Sequence, residues 1–365
     1  MAGRVFLSHF FIGQWSLFLY HGYMKYFGVL LLLLLAGGCK KKRPNVQVIP
    51  IQQKWIKGKL FKKYWIGQDT TSAKKTVLIT LSGLDGGHLP EKSLRALANQ
   101  GYDILSLAYS APPAVLPNTF VEIPIEYLAK AVSWLKNQRK YKKYRVVLLG
   151  VSKGAELALL YGSHYHDIDG IIAYSPSCVL LPALSSVKSS IPNRSPWSFQ
   201  YKPLPFVPVK KVETSEKSIT YKNYVIPWLS DMSVFKQARI PVERIDCPLL
   251  LLAGKDDQMW DAAKMSQLIQ YKMEASFKPQ KVTKVTFEKA GHRFFGFGEA
   301  LPEYTSTIWT KTLDGQPLQF KQGGTKEGNL KAMLGARARV KEFLYKIENP
   351  PSIDSLDSKF RNLNQ

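Results

Sequence analysis

The sequence predicts a doubly wound, mostly parallel α/β sheet with a cap inserted late in the chain. Three observations carry that expectation. From residue 76 onward, short runs of β-branched and apolar residues alternate with stretches of helical periodicity. One run, YRVVLLGV at 144–151, is apolar almost throughout, as strands covered on both faces are. Between residues 180 and 245 the alternation stops, in a segment rich in Pro, Ser and Lys that is too long for a plain loop.

Residues 1–39 read as a leader. Its apolar run, Phe27–Ala36, is about ten residues, short of the roughly 20 that span a bilayer but within the roughly 7–15 of a secretory-signal core. MKYFGVLLLLLLAGGC supplies a positive start at Lys25, the apolar core, and the small residues Ala36, Gly37 and Gly38 ahead of Cys39. Cys39 thus stands where a bacterial lipoprotein signal carries its lipidated cysteine, with Met24 as the start such a signal would use. The expected location is the cell envelope, membrane-anchored on the periplasmic side. The alternative is an uncleaved N-terminal membrane anchor over residues 5–38.

Residues 40–53 read as a basic tether. From 40 to 75 the chain holds eleven Lys and Arg against Asp69 alone, within a formal net charge of +24. Anionic lipid attracts such a segment by about 1 kcal/mol per cation near the surface, so an anionic membrane surface is the expected partner. Nucleic acid is not: zinc-finger spacing and basic regions with heptads are missing from the sequence.

One domain is expected over 54–347, followed by a polar tail at 348–365. KWIKGKLFKKYWI (54–66) reads as a hairpin bending at Gly58. TVLITLS (76–82) has the content of a strand. PEKSLRALANQG opens on Pro and closes on Gly, as a helix does. YDILSLAY (102–109) is the next strand. Residues 122–139 carry Ile125, Leu128, Ala129, Ala131, Val132 and Leu135 at helical spacing. After YRVVLLGV come a helix over KGAELALLYGSHY, a strand at GIIAYS, and the cap over about 180–245. CPLLLLAG resumes the sheet, 259–274 is a helix and KVTKVTFE a strand. Residues 296–325 form a second, smaller insertion, and KEGNLKAMLGARARVKEFLYKI closes as a helix. Cys178 and Cys247 then fall at opposite ends of parallel strands, beyond the ~7 Å reach of a disulfide, so two free thiols are expected.

The chemistry gathers at strand ends. Gly150-Val151-Ser152-Lys153-Gly154 is a G-x-S-x-G between a buried strand and a helix. The glycines let the strand turn sharply, and the turn lifts the Ser152 hydroxyl clear of the sheet. A serine needs a general base, and in this context the acid and then the histidine follow in chain order. Asp256 and Asp257 both follow the strand ending at Gly254, with Asp257 preferred by its spacing and Asp256 then left to cap the next turn. His88 follows a Gly-rich loop, and His164 and His166 lie at a helix end. His292, in AGHRFF, has both the order and the strand-end context. An oxyanion needs two backbone donors: the amide of Lys153 and one from SGLDGG, Leu84 first and Gly83 as the alternative. The Lys153 side chain either meets an anionic leaving group or pairs with Glu156. Trp197, Phe199, Phe206, Trp228 and Met232 of the cap either line an apolar acyl site or form the cap's own core.

SGLDGG, VEIPIEYLAKAVSWL, LGVSKGAELALL, YSPSCV, SPWSFQYKPLPFVP, LLLLAGKDDQMW, AGHRFF and GGTKEGN…ARARVKEFL resemble the catalytic domain of the acyl-CoA thioesterase / bile acid-CoA:amino acid N-acyltransferase family, from about residue 76 to 346. The resemblance implies an α/β-hydrolase fold and a triad on Ser152, Asp257 and His292. In that family a Cys nucleophile accompanies amide transfer and a Ser accompanies thioester hydrolysis, so Ser152 implies hydrolysis of an acyl thioester, without metal or cofactor. Two features depart from it. Members from animals carry a β-sandwich ahead of the catalytic domain, where Cys39 to Thr76 leaves room for a hairpin only. A lipoprotein signal also leads to a compartment where coenzyme A thioesters are scarce. The alternative enzyme is a cell-envelope carboxylesterase or lipase-type hydrolase using the same triad on an ester. The alternative outside enzymes is a non-catalytic binding lipoprotein.

Overall fold

The structure, a computed structural model, describes residues 47–55, 59–67, 74–84, 86–109, 120–183, 193–208, 218–219, 231–278, 281–298, 307–311 and 317–350. The leader with Met24 and Cys39, the tether up to residue 46, Gly58, Trp228 and the tail from 351 lie outside them. Eight strands form the central sheet: β1 (Gln47–Trp55), β2 (Lys59–Gly67), β3 (Thr76–Leu81), β4 (Asp103–Leu107), β5 (Arg145–Val151), β6 (Gly170–Tyr174), β7 (Leu249–Gly254) and β8 (Val282–Phe287). Their order is β1-β2-β4-β3-β5-β6-β7-β8. β2 is antiparallel to β1 and β4, and every pairing from β4 to β8 is parallel.

The helices are α1 (Glu91–Ala98), α2 (Glu126–Asn137), α3 (Lys153–His164), α4 (Met232–Ala238), α5 (Ala262–Ala275) and α6 (Lys326–Glu348). Alternate strand residues feed two cores. Val77, Ile79, Val146, Leu148, Leu249 and Leu251 pack under α2, α3 and α5. Leu78, Val147, Leu149, Leu250 and Leu252 pack under α1 and α6. A strand side chain points to opposite faces at successive positions. A run apolar at every position therefore serves both layers, at about 1.5–3 kcal/mol for each fully buried aliphatic side chain.

Two boundaries differ from the expectation. Residues 47–53, expected in the basic tether, are most of β1, and the hairpin runs on to Gly67. Val48, Ile49 and Ile51 are strand formers, and β2, already paired to β4, supplies a ladder for them. The helix expected from 122 starts at Glu126, because Ile123–Pro124 pairs instead with Trp197–Phe199 of the cap.

The inserted segment has a stitched root. Val179 and Arg239 form an antiparallel bridge, and Leu180 N–H donates to Ala238 O at 2.8 Å. Ile240 N–H donates to Cys178 O at 2.9 Å, and Val207 N–H to Leu180 O at 2.8 Å. The excursion thus leaves and rejoins the domain at one place. Further out, Ser218–Ile219 pairs with Pro317–Lys321, which pairs with Thr307–Lys311, so the second insertion shares a small sheet with the first.

Cys178 and Cys247 are free and buried. Burial pushes the Cys247 thiol up to about 12 and holds Cys178 still further above its ordinary value. Both therefore stay protonated and unreactive in the folded chain near pH 8. Iodoacetamide should leave the two peptides unlabelled in the native protein and label both in guanidinium. Labelling of either in the native state, read by peptide mass mapping, would contradict this burial.

Candidate active site

Ser152 stands between β5 and α3 with φ +58°, a conformation that L-residues rarely hold. Its N–H donates to Tyr174 O at 2.9 Å, and its carbonyl accepts from Ala155 and Glu156 N–H. The turn is tight on both sides. A Cβ at Gly150 would lie 2.2 Å from Gly154 O, and one at Gly154 would lie 2.3 Å from Ser82 O. Glycine lets α3 touch the end of β3, so the loop after β3 is brought against the nucleophile.

His292 Nε2 lies 2.8 Å from Ser152 Oγ, and His292 Nδ1 lies 2.7 Å from Asp257 Oδ2. With the carboxylate accepting, Nδ1 carries the proton and Nε2 is free to accept from the serine hydroxyl. Of the two aspartates, it is Asp257 that meets the histidine. Its second oxygen also does the capping expected of Asp256, accepting from Met259 N–H at 2.9 Å and Trp260 N–H at 3.2 Å. Asp256 is exposed. All three side chains are buried: Ser152 and His292 are 5% exposed and Asp257 2%.

Several residues that hold this chain were not singled out from the sequence. Gln322 O accepts His292 N–H at 2.7 Å, Gly323 bridges to Asp257 and Gly324 to Ala290. Asn329 Oδ1 accepts Gly291 N–H at 2.9 Å. The Ser175 hydroxyl donates to His292 O at 2.8 Å. Trp260 sets its indole edge-on to the imidazole, centroids 4.5 Å apart, and its Nε1–H donates to Pro176 O at 3.2 Å. The motif GGTKEGN carried a signal for Gly323, Gly324 and Asn329. YSPSCV and LLLLAGKDDQMW carried the same kind of signal for Ser175 and Trp260.

Two of the residues expected to supply oxyanion donors, Lys153 and Gly83, lie next to Ser152 in chain or in space. Lys153 opens α3, and the first N–H groups of a helix have no partner within it. A Cβ at Gly83 would lie 3.4 Å from Ser152 Cβ and 3.8 Å from its Oγ, so Gly83 runs beside Ser152. The Lys153 side chain is fully buried. Its Nζ donates to Glu156 Oε1 at 2.8 Å and to Leu181 O at 2.7 Å, which answers the sequence alternative in favour of the ion pair. Glu156 Oε1 also accepts from Trp197 Nε1 at 2.8 Å, and Oε2 from Leu181 N–H at 3.2 Å. Burial pushes the Lys153 ammonium down and the Glu156 carboxyl up, and each group's charge opposes the other's shift. Of the cap aromatics, Trp197 is core, Phe199 and Phe206 lie partly buried against that core, and Met232 is 58% exposed.

A strand–turn–helix serine after β5, an acid after β7 and a histidine after β8, on a sheet ordered 1-2-4-3-5-6-7-8, give the chain the α/β-hydrolase fold. Residues 123–295 match the family described as BAAT / Acyl-CoA thioester hydrolase C terminal. Acyl-coenzyme A thioesterase 1 of Mus musculus is 28% identical over 249 residues, covering 68% of this chain and 54% of the mouse protein. The mitochondrial acyl-coenzyme A thioesterase 2 of Mus musculus is 29% identical over 251 residues, covering 68% and 50%. The chain thus spans about half the length of the curated relatives it matches. Among solved structures, an esterase from Rhizomucor miehei covers 85% of this chain and 86% of its own, at 13% identity and a TM-score of 0.46. An esterase from Pyrococcus furiosus covers 66% and 81%, at 17% identity and 0.44.

The buried pair gives a stability test. Lys153→Met strands the Glu156 carboxylate without its cation and should cost about 3–5 kcal/mol, read as a lowered urea midpoint. Adding Glu156→Gln removes that charge and keeps an acceptor for Trp197, so the double variant should recover part of the loss. A double variant no more stable than Lys153→Met would show that the uncompensated charge is not what costs the stability.

Proposed function

We propose that this chain is a serine hydrolase that cleaves acyl thioesters through Ser152, His292 and Asp257. The observation that carries the reading is the unbroken hydrogen-bonded chain from Ser152 Oγ through His292 to Asp257. The thioesterase names of the sequence relatives support the substrate class. Ser152 Oγ attacks the acyl carbonyl carbon while His292 Nε2 takes the hydroxyl proton. Asp257 holds the imidazole with Nε2 towards the serine and stabilises the imidazolium. The amides of Lys153 and of Leu84 or Gly83 receive the oxyanion. Collapse expels the thiolate, which takes the proton from His292. Water, deprotonated by His292, then attacks the acyl-serine, releasing the carboxylic acid and restoring Ser152. No step calls for a metal or cofactor.

One observation favours a second reading, cleavage of an oxygen ester. The cation beside the nucleophile is bound to Glu156 and Leu181 O inside the protein, so it does not reach the phosphates of a coenzyme A leaving group. The proposed setting is a membrane surface. There a lipid on Cys39 anchors the chain, or an uncleaved leader does so, and the basic segment after it lies against anionic headgroups. That setting rests on the sequence of the leader and tether.

Palmitoyl-CoA hydrolysis by the protein and by Ser152→Ala tests the reaction. Release of free coenzyme A that falls at least ~10³-fold in the variant, as loss of a triad member should cause, supports the thioester reading. Turnover of p-nitrophenyl esters alone, through Ser152, moves the substrate class to esters. Failure of a fluorophosphonate probe to label Ser152 would sink both and leave a binding protein.

A further inference from the structure

Tyr109 follows β4, is fully buried, and takes no part in the steps above. Its hydroxyl donates to Ser82 O at 2.5 Å and to Gly83 O at 2.7 Å. Its backbone N–H donates to Gly86 O at 2.7 Å, and Gly83 O also accepts Gly86 N–H at 2.9 Å. One residue of the neighbouring strand thus holds three carbonyls of the loop that runs beside Ser152. The ring cannot swing away. It is wedged against Phe120, centroids 5.7 Å apart, and against Trp197 at 5.6 Å.

The consequence follows from peptide geometry. In a trans peptide the C=O and the N–H point in opposite directions. The Ser82 carbonyl is paired with the Gly83 N–H, and the Gly83 carbonyl with the Leu84 N–H. Drawing both carbonyls to the Tyr109 hydroxyl turns both N–H groups to the other side of the loop. Two carbonyl oxygens converging on one point repel each other unless a hydrogen lies between them, so the hydroxyl supports this orientation beside the Gly86 N–H that also binds Gly83 O. Gly83 stands against the nucleophile, as the close approach of its missing Cβ to Ser152 Cβ and Oγ shows.

We propose that Tyr109 is a positioning residue for the oxyanion: its hydroxyl locks the peptides of Ser82 and Gly83 so that the N–H groups of the loop face the acyl oxygen held at Ser152. The proposal rests on the hydrolase reading above. In Tyr109→Phe the two carbonyls lose their shared donor, and their peptides rotate to separate them. The loop amide then leaves the oxyanion, which develops after substrate is bound.

The test compares the full chain, Tyr109→Phe and Tyr161→Phe. Tyr161 is equally buried and donates to Asp167 Oδ1 at 2.8 Å, so its variant measures the effect of losing a buried tyrosine hydroxyl elsewhere. Turnover of p-nitrophenyl butyrate is normalised to sites titrated by fluorophosphonate, so a partly folded variant still reports. Binding of phenylboronic acid, whose serine adduct places an oxygen where the oxyanion forms, is measured beside it. In Tyr109→Phe kcat should fall about 10- to 100-fold, somewhat less than outright loss of an oxyanion donor. KM should stay within about twofold, boronate affinity should drop by a similar factor to kcat, and the pH profile should be unmoved. Tyr161→Phe should keep kcat within about twofold. Unchanged kcat and boronate affinity in Tyr109→Phe, with an active parent, overturns the proposal alone. Equal losses in both tyrosine variants also overturn it. A parent that neither turns over ester nor binds boronate overturns it together with the hydrolase reading.

Discussion

The architecture of the site depends on one backbone conformation, φ +58° at Ser152. Such a conformation costs about 1–3 kcal/mol and persists only where its surroundings over-determine it. Here the Ser152 N–H is bound by Tyr174 O on the adjoining strand, and its carbonyl by the first turn of α3. The rest of α3 is almost wholly buried. The strain is thus held by the best-packed helix of the domain. The conformation also dictates what comes next to the serine. Because α3 starts within glycine distance of the end of β3, the loop after β3 begins beside Ser152.

The partners of the serine are held by a different device. Asp257 follows β7 and His292 follows β8, and those strands are neighbours in register, Gly254 opposite Phe287. Adjacent strand ends bring the two side chains close, but they do not fix the imidazole. Residues 322–324 do, by threading between the two loops and binding both. Ser175 holds the His292 carbonyl, and Trp260 holds the ring edge-on. The histidine is thereby restrained from backbone, carbonyl and ring at once, so its ring keeps little rotational freedom.

Most of this was legible in the sequence for a physical reason. Strands buried on both faces leave an unbroken apolar run, and strand ends in a parallel sheet are where reactive side chains collect. Ser152 and Asp257 each follow such a run, and His292 follows the partly buried edge strand β8, so their meeting followed from sheet order. What was not legible depends on contacts between distant segments. β1 was hidden because Pro50 and the polar Gln47, Gln52 and Gln53 dilute its apolar residues, and its ladder comes from β2. The start of α2 was misplaced because Ile123–Pro124 pairs with a strand about 75 residues away in the insertion. Tyr109 and Gln322 act through carbonyls, and a carbonyl carries no sequence signature.

The Lys153–Glu156 pair shows how the insertion and the nucleophile are joined. A buried ion pair adds little net stability over well-packed apolar side chains of the same size, because desolvation offsets the attraction. Stability therefore does not explain a full charge pair directly beside the Ser152 turn. Direction does. Lys153 Nζ binds the Leu181 carbonyl, and the two oxygens of Glu156 bind the Leu181 N–H and the Trp197 indole. Apolar side chains could fill that space but could not fix which way the Leu181 peptide faces. Trp197 in turn packs on Tyr109, whose hydroxyl holds the loop on the far side of Ser152. Glu156, Trp197 and Tyr109 are in direct contact one with the next, and the Tyr109 hydroxyl binds the backbone carbonyl of Gly83 beside Ser152. The root of the insertion and the loop beside Ser152 are thus joined through one set of contacts, from Glu156 to Trp197 to Tyr109.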